Sequence, residues 1–140
     1  MDPPRYSPTL MDHFERPRNV GELPDADGVG SAGDPSCGDV MTIWIRVRND
    51  RIAAASFRCQ GCPAAIAVGS MTTELAIGMH LDDAAEIADD TVAEALGGLP
   101  EDKRHCSNLG ADALAGAIWD YVTRSVEARL SETPPRGPRP

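Results

Sequence analysis

Aromatic residues are scarce in this sequence: two Trp, two Tyr and two Phe among 140 positions. The core must then be filled by Ala, Leu, Ile and Val rather than built around large rings. Long apolar runs are missing too, and nothing approaches the ~20 consecutive residues a membrane-spanning helix needs. The opening stretch Met1-Asp-Pro-Pro-Arg-Tyr-Ser lacks the basic, apolar, small-residue order of a secretory signal. The expectation is a cytoplasmic protein without a membrane partner. Basic residues are outnumbered, 13 Lys and Arg against 22 Asp and Glu, for a formal net charge of −9. Such a chain repels phosphate backbones, which argues against nucleic acid and favours cations and basic protein surfaces.

What is present is more specific. There are four cysteines. In a reducing compartment so small a set binds metal or does chemistry more often than it forms bridges. The chain is also long enough for one hydrophobic core without disulfides or metal to hold it.

The hydrophobic pattern predicts a short helix from Ser7 to Phe14, capped by Ser7 and ended before Pro17. The Gly, Asp and Pro-rich stretch from Val20 to Gly38 reads as loop, with one short edge strand around Gly28 to Ala32. From Val40 to Arg48 the sequence alternates, with Met41, Ile43, Ile45 and Val47 on one face. Asn49-Asp50 is turn chemistry, and Ile52 to Arg58 returns as the second strand of a hairpin. Pro63 sits well at the first position of a helix running to Met79. Short helices follow within Leu81 to Ile87 and Thr91 to Leu96. The strongest helix runs from Ser107 to about Leu130, where Leu114, Ile118, Val122, Val126 and Leu130 recur every four residues beside Ala111 and Trp119. Residues 1–130 should form one α+β domain, a small antiparallel sheet covered by helices. Residues 131–140, rich in Pro and Arg, should be a disordered tail.

Three segments carry chemistry: Cys37-Gly38-Asp39, Cys59-Gln60-Gly61-Cys62-Pro63 and His105-Cys106-Ser107. Each lies at a join between elements. Cys62 and Cys106 each precede a helix, where unpaired N–H groups and the macrodipole favour negative charge and lower a thiol's pKa. If the hairpin and the last helix return the chain to one end of the domain, Cys37, Cys62 and Cys106 supply three sulfur ligands. Asp39 or His105 adds an oxygen or nitrogen. Such a set suits tetrahedral zinc and an iron–sulfur cluster equally. Cys59 shares the face of Phe57 by alternation and reads as a small buried hydrophobe. A redox Cys59-x-x-Cys62 pair lacks the βαβ setting it would need. His105 could equally be a cap and Asp39 a turn residue. The acidic run Asp82, Asp83, Glu86, Asp89 and Asp90 reads as a solvated face.

Four ordered motifs resemble those of the IscU/NifU-type iron–sulfur scaffold proteins. They are Asp12-His13-Phe14-Glu15-Arg16-Pro17-Arg18-Asn19-Val20-Gly21 with Tyr6-Ser7 before it, Cys37-Gly38-Asp39-Val40-Met41, Gly61-Cys62-Pro63-Ala64-Ala65-Ile66-Ala67, and Leu99-Pro100 through Lys103 to His105-Cys106-Ser107. The resemblance spans Tyr6 to Val126. It implies a three-stranded antiparallel sheet packed against a helical bundle with a long C-terminal helix. It implies a scaffold, not an enzyme, on which a transient [2Fe–2S] cluster is assembled from Fe2+ and sulfur and then passed to apoproteins. The implied ligands are Cys37, Asp39, Cys62, His105 and Cys106, with Zn2+ able to occupy the same site. Cys106 would be the persulfide acceptor, Lys103 would lie beside the site, and Asp39 would keep the cluster labile.

The implied partners are a cysteine desulfurase, apoprotein acceptors and a frataxin-like or ferredoxin partner. Where the relatives served by a DnaK-like chaperone carry Leu-Pro-Pro-Val-Lys, this chain has Leu99-Pro100-Glu101-Asp102-Lys103, which puts that partner in doubt. Cys59 is an extra cysteine. No insertion of the zinc-dependent SufU kind stands between Cys62 and Cys106. A zinc-bound sulfurtransferase that accepts persulfide is the alternative, and a zinc-stabilised interaction module the third reading.

Overall fold

A computed structural model describes residues 6–34 and 38–132. Helix α1 (Pro8–Glu15) is followed by strands β1 (Gly28–Asp34), β2 (Asp39–Arg48) and β3 (Arg51–Gln60). Helices α2 (Pro63–Ala76), α3 (Leu81–Ala85) and α4 (Asp89–Ala95) come next. A single 3-10 turn over Glu101–Lys103 leads into α5 (Cys106–Glu132). Among the described residues no helix is long and apolar enough to cross a membrane.

The three strands form one antiparallel sheet in the order β1-β2-β3. The β2–β3 hairpin turns at Asn49 and Asp50, which both take the left-handed conformation, with φ of 54° and 60°. Two consecutive left-handed residues give the turn whose twist matches the strands, and Asn and Asp tolerate it best among residues with a side chain. Alternation then does the sorting. Met41, Ile43 and Ile45 are fully buried, while Val40 and Arg46 face outward. On β3, Ala55 and Phe57 join them by alternation, and Ile52 does so beyond the register shift opposite Arg46 and Val47. Helix α2 covers β3, α5 covers β1, and α1 packs on α2.

Alpha helix α1 starts as the sequence predicts: Ser7 is its N-cap, and its hydroxyl accepts the Leu10 N–H at 3.0 Å. The following segment is tied down hard. The Arg18 N–H donates to Ser70 Oγ at 3.0 Å, Asn19 Nδ2 donates to Thr73 Oγ1 at 3.1 Å, and the Phe57 N–H donates to the Asn19 carbonyl at 2.8 Å. Buried His13 completes this anchor, with Nδ1 2.7 Å from Ser70 Oγ and Nε2 3.7 Å from Glu74. Much of the first resemblance motif is therefore a clasp across α2 and β3, which holds in place the helix that carries Cys62.

Three expectations need correcting. The edge strand is longer than Gly28 to Ala32, because it pairs with β2 through Asp34. The four-residue stripe of α5 faces the core only in its first half. Leu114 and Ile118 are buried, but Trp119, Val122, Val126 and Leu130 are exposed. The reason is length. The 27 residues of α5 span about 40 Å, whereas the seven of β1 span about 24 Å. Gly28, the first residue of β1, lies against Ala117 and Tyr121, so no strand underlies the helix beyond that point. Helix α5 also runs to Glu132, past the expected end near Leu130. Residues 133–140 of the expected tail lie outside the described residues.

Candidate metal centre

The strand register explains how the site forms. Val40 pairs with Gln60, so Asp39 stands opposite the residue after β3, which is Gly61. Cys62 follows as the N-cap of α2, with Pro63 in the first turn. The Cys62 thiol makes no capping bond to its own helix. It is therefore left to face the strand end. Cys106, the first residue of α5, comes in from the other side.

The result is a compact triangle. Asp39 Oδ2 lies 3.9 Å from Cys62 Sγ and 3.8 Å from Cys106 Sγ, and the two sulfurs are 3.9 Å apart. In a tetrahedral site with bonds of about 2.0–2.3 Å, ligand atoms stand roughly 3.3–3.8 Å from one another. The three atoms thus stand close to one face of such a tetrahedron, without rearrangement. His105 is adjacent, with Nε2 3.7 Å from Cys106 Sγ, but its nitrogen is not among the three atoms gathered within 4.8 Å. Cys37, the remaining thiol of the expected set, lies outside the described residues. Its neighbour Gly38 takes a φ of 75°, a conformation that favours glycine.

Asp39 is 5% exposed and Cys106 fully buried, while Cys62 is half-buried. Burying a carboxylate needs a reason. The sequence held one signal of it that periodicity alone left unread. Asp39 extends the Met41, Ile43, Ile45 series by one step, placing an acid on the apolar face of β2.

The electrostatics depart from the expectation for helix-start thiols. Burial pushes the Cys106 thiol well above its ordinary range, and the neighbouring Cys62 and Asp39 push it further. The gain from a helix terminus is smaller than the cost of an anion in a buried pocket already holding an acid and a second thiol. A metal ion reverses that balance, since a coordinated thiol is deprotonated outright. Lys103 supplies the cation at the rim. Its own pKa is raised, foremost by the nearby Cys62, so Lys103 stays charged to still higher pH, and its charge lowers the cost of ionising Cys106.

Cys59 sits apart in role. It pairs with Met41, is half-buried against the core, and burial holds its thiol up to about 12. That fits the reading of a small hydrophobe. Glu101 and Asp102, the two acids of the altered motif, form the exposed 3-10 turn in front of Cys106.

The NifU-like N terminal domain family matches residues 5–128. A protein of Archaeoglobus fulgidus named iron-sulfur cluster assembly scaffold protein IscU 1 is 56% identical over 120 residues, covering 86% of this chain and 78% of that protein. An Aquifex aeolicus protein named iron-sulfur cluster assembly scaffold protein IscU is 46% identical over 129 residues, covering 91% of this chain and 81% of its own length. The crystal structure of a NifU-like N-terminal protein from Brucella abortus superposes with a TM-score of 0.70 over 86% of this chain and 96% of that one, at 19% identity, which speaks to the fold. The family model and these relatives point the same way, and the chain belongs to the NifU-like N terminal domain family.

Proposed function

We propose that this chain is a scaffold on which a [2Fe–2S] cluster is assembled from Fe2+ and desulfurase-derived sulfur and then transferred to apoproteins. The observation that carries the reading is the Asp39 carboxylate lodged between the thiols of Cys62 and Cys106 in a family whose relatives are named as such scaffolds. Iron–sulfur clusters call for thiolate ligands. A hard carboxylate oxygen among soft sulfurs is the weaker corner, where a ligand from an acceptor protein can enter. Cys37 and His105 are the candidates to complete the shell.

Sulfur arrives at Cys106 in this reading. Its thiol first gives up a proton, at a cost that the Lys103 cation lowers. The thiolate then attacks the terminal sulfur of the donor persulfide, the donor S–S bond breaks, and the donor cysteine leaves as thiolate. A cysteine desulfurase is the donor, and a frataxin-like or ferredoxin partner assists iron entry or sulfur reduction. Glu101 and Asp102 stand where the relatives served by a DnaK-like chaperone carry Pro-Val, which puts that partner in doubt.

The same near-tetrahedral spacing supports the second reading, a zinc-bound sulfurtransferase. One experiment separates them. Chelator-treated protein is incubated anaerobically with Fe2+, cysteine and a cysteine desulfurase, and visible absorption is followed together with iron and sulfide counts. A growing sulfide-to-iron charge-transfer band with equal iron and sulfide supports the scaffold. No band, with tightly rebound Zn2+ and faster desulfurase turnover, refutes it in favour of the sulfurtransferase.

A further inference from the structure

Gly61 occupies an unusual position beside the site. Its φ lies outside the left-handed region, unlike that of Gly38 at 75°, so its backbone conformation is open to any residue. What the position forbids is volume. A Cβ built on Gly61 would lie 2.6 Å from Asp39 Oδ1, 2.9 Å from Asp39 Cγ and 3.2 Å from Ala65 Cβ. By contrast, a Cβ built on Gly38 meets nothing within 4 Å. The two glycines that flank the ligands therefore serve different needs, one of conformation and one of space.

We propose that Gly61 is a positioning residue for Asp39. The absence of its side chain forms the bay into which Oδ1 fits, and that seating turns Oδ2 toward both thiols. The strand register makes the contact obligatory, because Val40 pairs with Gln60 and the next two residues outward face each other. The group that must yield to an added methyl is the end of a two-torsion side chain, not backbone. The predicted result of Gly61→Ala is a folded protein whose carboxylate has swung away from Cys62 and Cys106, although no ligand has been altered. This inference rests on the reading of Asp39 as a metal ligand.

The test uses the full chain with Co2+ and Zn2+ as probes, in four forms: unchanged, Gly61→Ala, Asp39→Ala and the double variant. Co2+ ligand-field and sulfur-to-metal charge-transfer bands report the donor set directly. The Gly61→Ala spectrum should leave that of the unchanged chain and match Asp39→Ala. Its Zn2+ affinity should fall about 10- to 100-fold, the range seen when a group that orients a ligand is lost. The double variant should match Asp39→Ala, because the two changes act through one carboxylate and are not additive. Unchanged Co2+ bands and Zn2+ affinity in Gly61→Ala, with Asp39→Ala altered, overturn the positioning role alone. An Asp39→Ala protein that binds like the unchanged chain overturns the ligand reading and the inference built on it. If Gly61→Ala proves unfolded, the double variant decides. Removing the carboxylate removes the clash, so it must fold and bind as Asp39→Ala does; a double variant as unfolded as the single change refutes the proposal.

Discussion

Replacing Gly30 by alanine should loosen both the fold and the metal centre. A Cβ at this position would lie 2.2 Å from the Ala113 carbonyl oxygen, 2.2 Å from the Ala117 nitrogen and 2.6 Å from the Gly116 carbonyl carbon. All three are backbone atoms of α5, so no rotamer can relieve the overlap. Ordinary contact begins near 3.4 Å, and 3.4 − 2.2 gives about 1.2 Å by which β1 and α5 must part. Overpacking a core costs about 1–3 kcal/mol where side chains can shift. With only backbone to move, the upper end of that range applies. It outweighs the few tenths to 1 kcal/mol that Gly→Ala can return through the unfolded chain. At ~3 kcal/mol and a few degrees per kcal/mol for a chain of this size, the melting temperature should fall by roughly 10 °C.

The partner glycine is the control. A Cβ on Gly116 would lie 3.3 Å from Gly30 Cα, with Ser31 N at 3.9 Å and the Gly30 carbonyl carbon at 4.0 Å in ordinary contact. A shift of tenths of an ångström suffices, and the ~1 kcal/mol gain in helix propensity offsets it. Gly116→Ala should therefore melt close to the unchanged chain. Circular dichroism melts of both variants, with and without Zn2+, provide the assay. Because α5 begins at Cys106, Gly30→Ala should also weaken Zn2+ binding, whereas Gly116→Ala should not. A Gly30→Ala protein melting within about 2 °C of the unchanged chain would refute the claim that α5 rests directly on the backbone of β1.

Three further outcomes are expected. Cys106→Ser should abolish stable persulfide on the chain, read by mass spectrometry after incubation with a desulfurase and cysteine; an undiminished persulfide there contradicts its role as acceptor. Cys59→Ser should leave the yield of reconstituted cluster nearly unchanged, and a cluster that fails to form would show that this thiol is a ligand. Burial chiefly, with Arg18 adding to the effect and Glu74 and Asp12 opposing it, lowers the pKa of His13 below the ordinary 6.5. The unfolded chain then binds this proton more readily than the folded one, and stability is lost as pH falls through that ordinary value. Thermal melts from about pH 7.5 to about pH 5.5 should show a steeper loss for the unchanged chain than for His13→Gln; parallel curves would count against it.

Much of this fold was written in local pattern. The β2–β3 hairpin follows from alternation and the Asn49-Asp50 turn, and each helix lies within a few residues of where caps, prolines and spacing place it. Bringing Asp39, Cys62 and Cys106 together was also foreseeable, because all three stand at element ends that a hairpin and a returning helix carry to one side. Three features were not legible, each for a tertiary reason. The Cys106 thiol is raised rather than lowered, because burial depends on what packs over a helix start and not on the start itself. The second half of the α5 stripe is exposed, because periodicity says which residues share a face and not whether anything covers it. The Gly30–Gly116 and Gly61–Asp39 approaches join residues far apart in the chain, and a lone glycine does not declare which neighbour needs its space.

The three gathered atoms of Asp39, Cys62 and Cys106 come from the beginning of β2, the cap of α2 and the first residue of α5, and Asp39 and Cys106 are 67 positions apart. No hairpin, helix pair or other local piece holds them. The centre comes into being only when α5 docks. A metal held by these three atoms would thus be bound by the docked fold and not by its separate pieces, and its binding would add about 2.7 kcal/mol of stability when the free ion stands at a hundred times its dissociation constant. That increment falls on the docking of α5 above all. A chain that held a metal at these atoms would, by that fact, have docked α5, and one in which α5 has not docked lacks the gathered triangle.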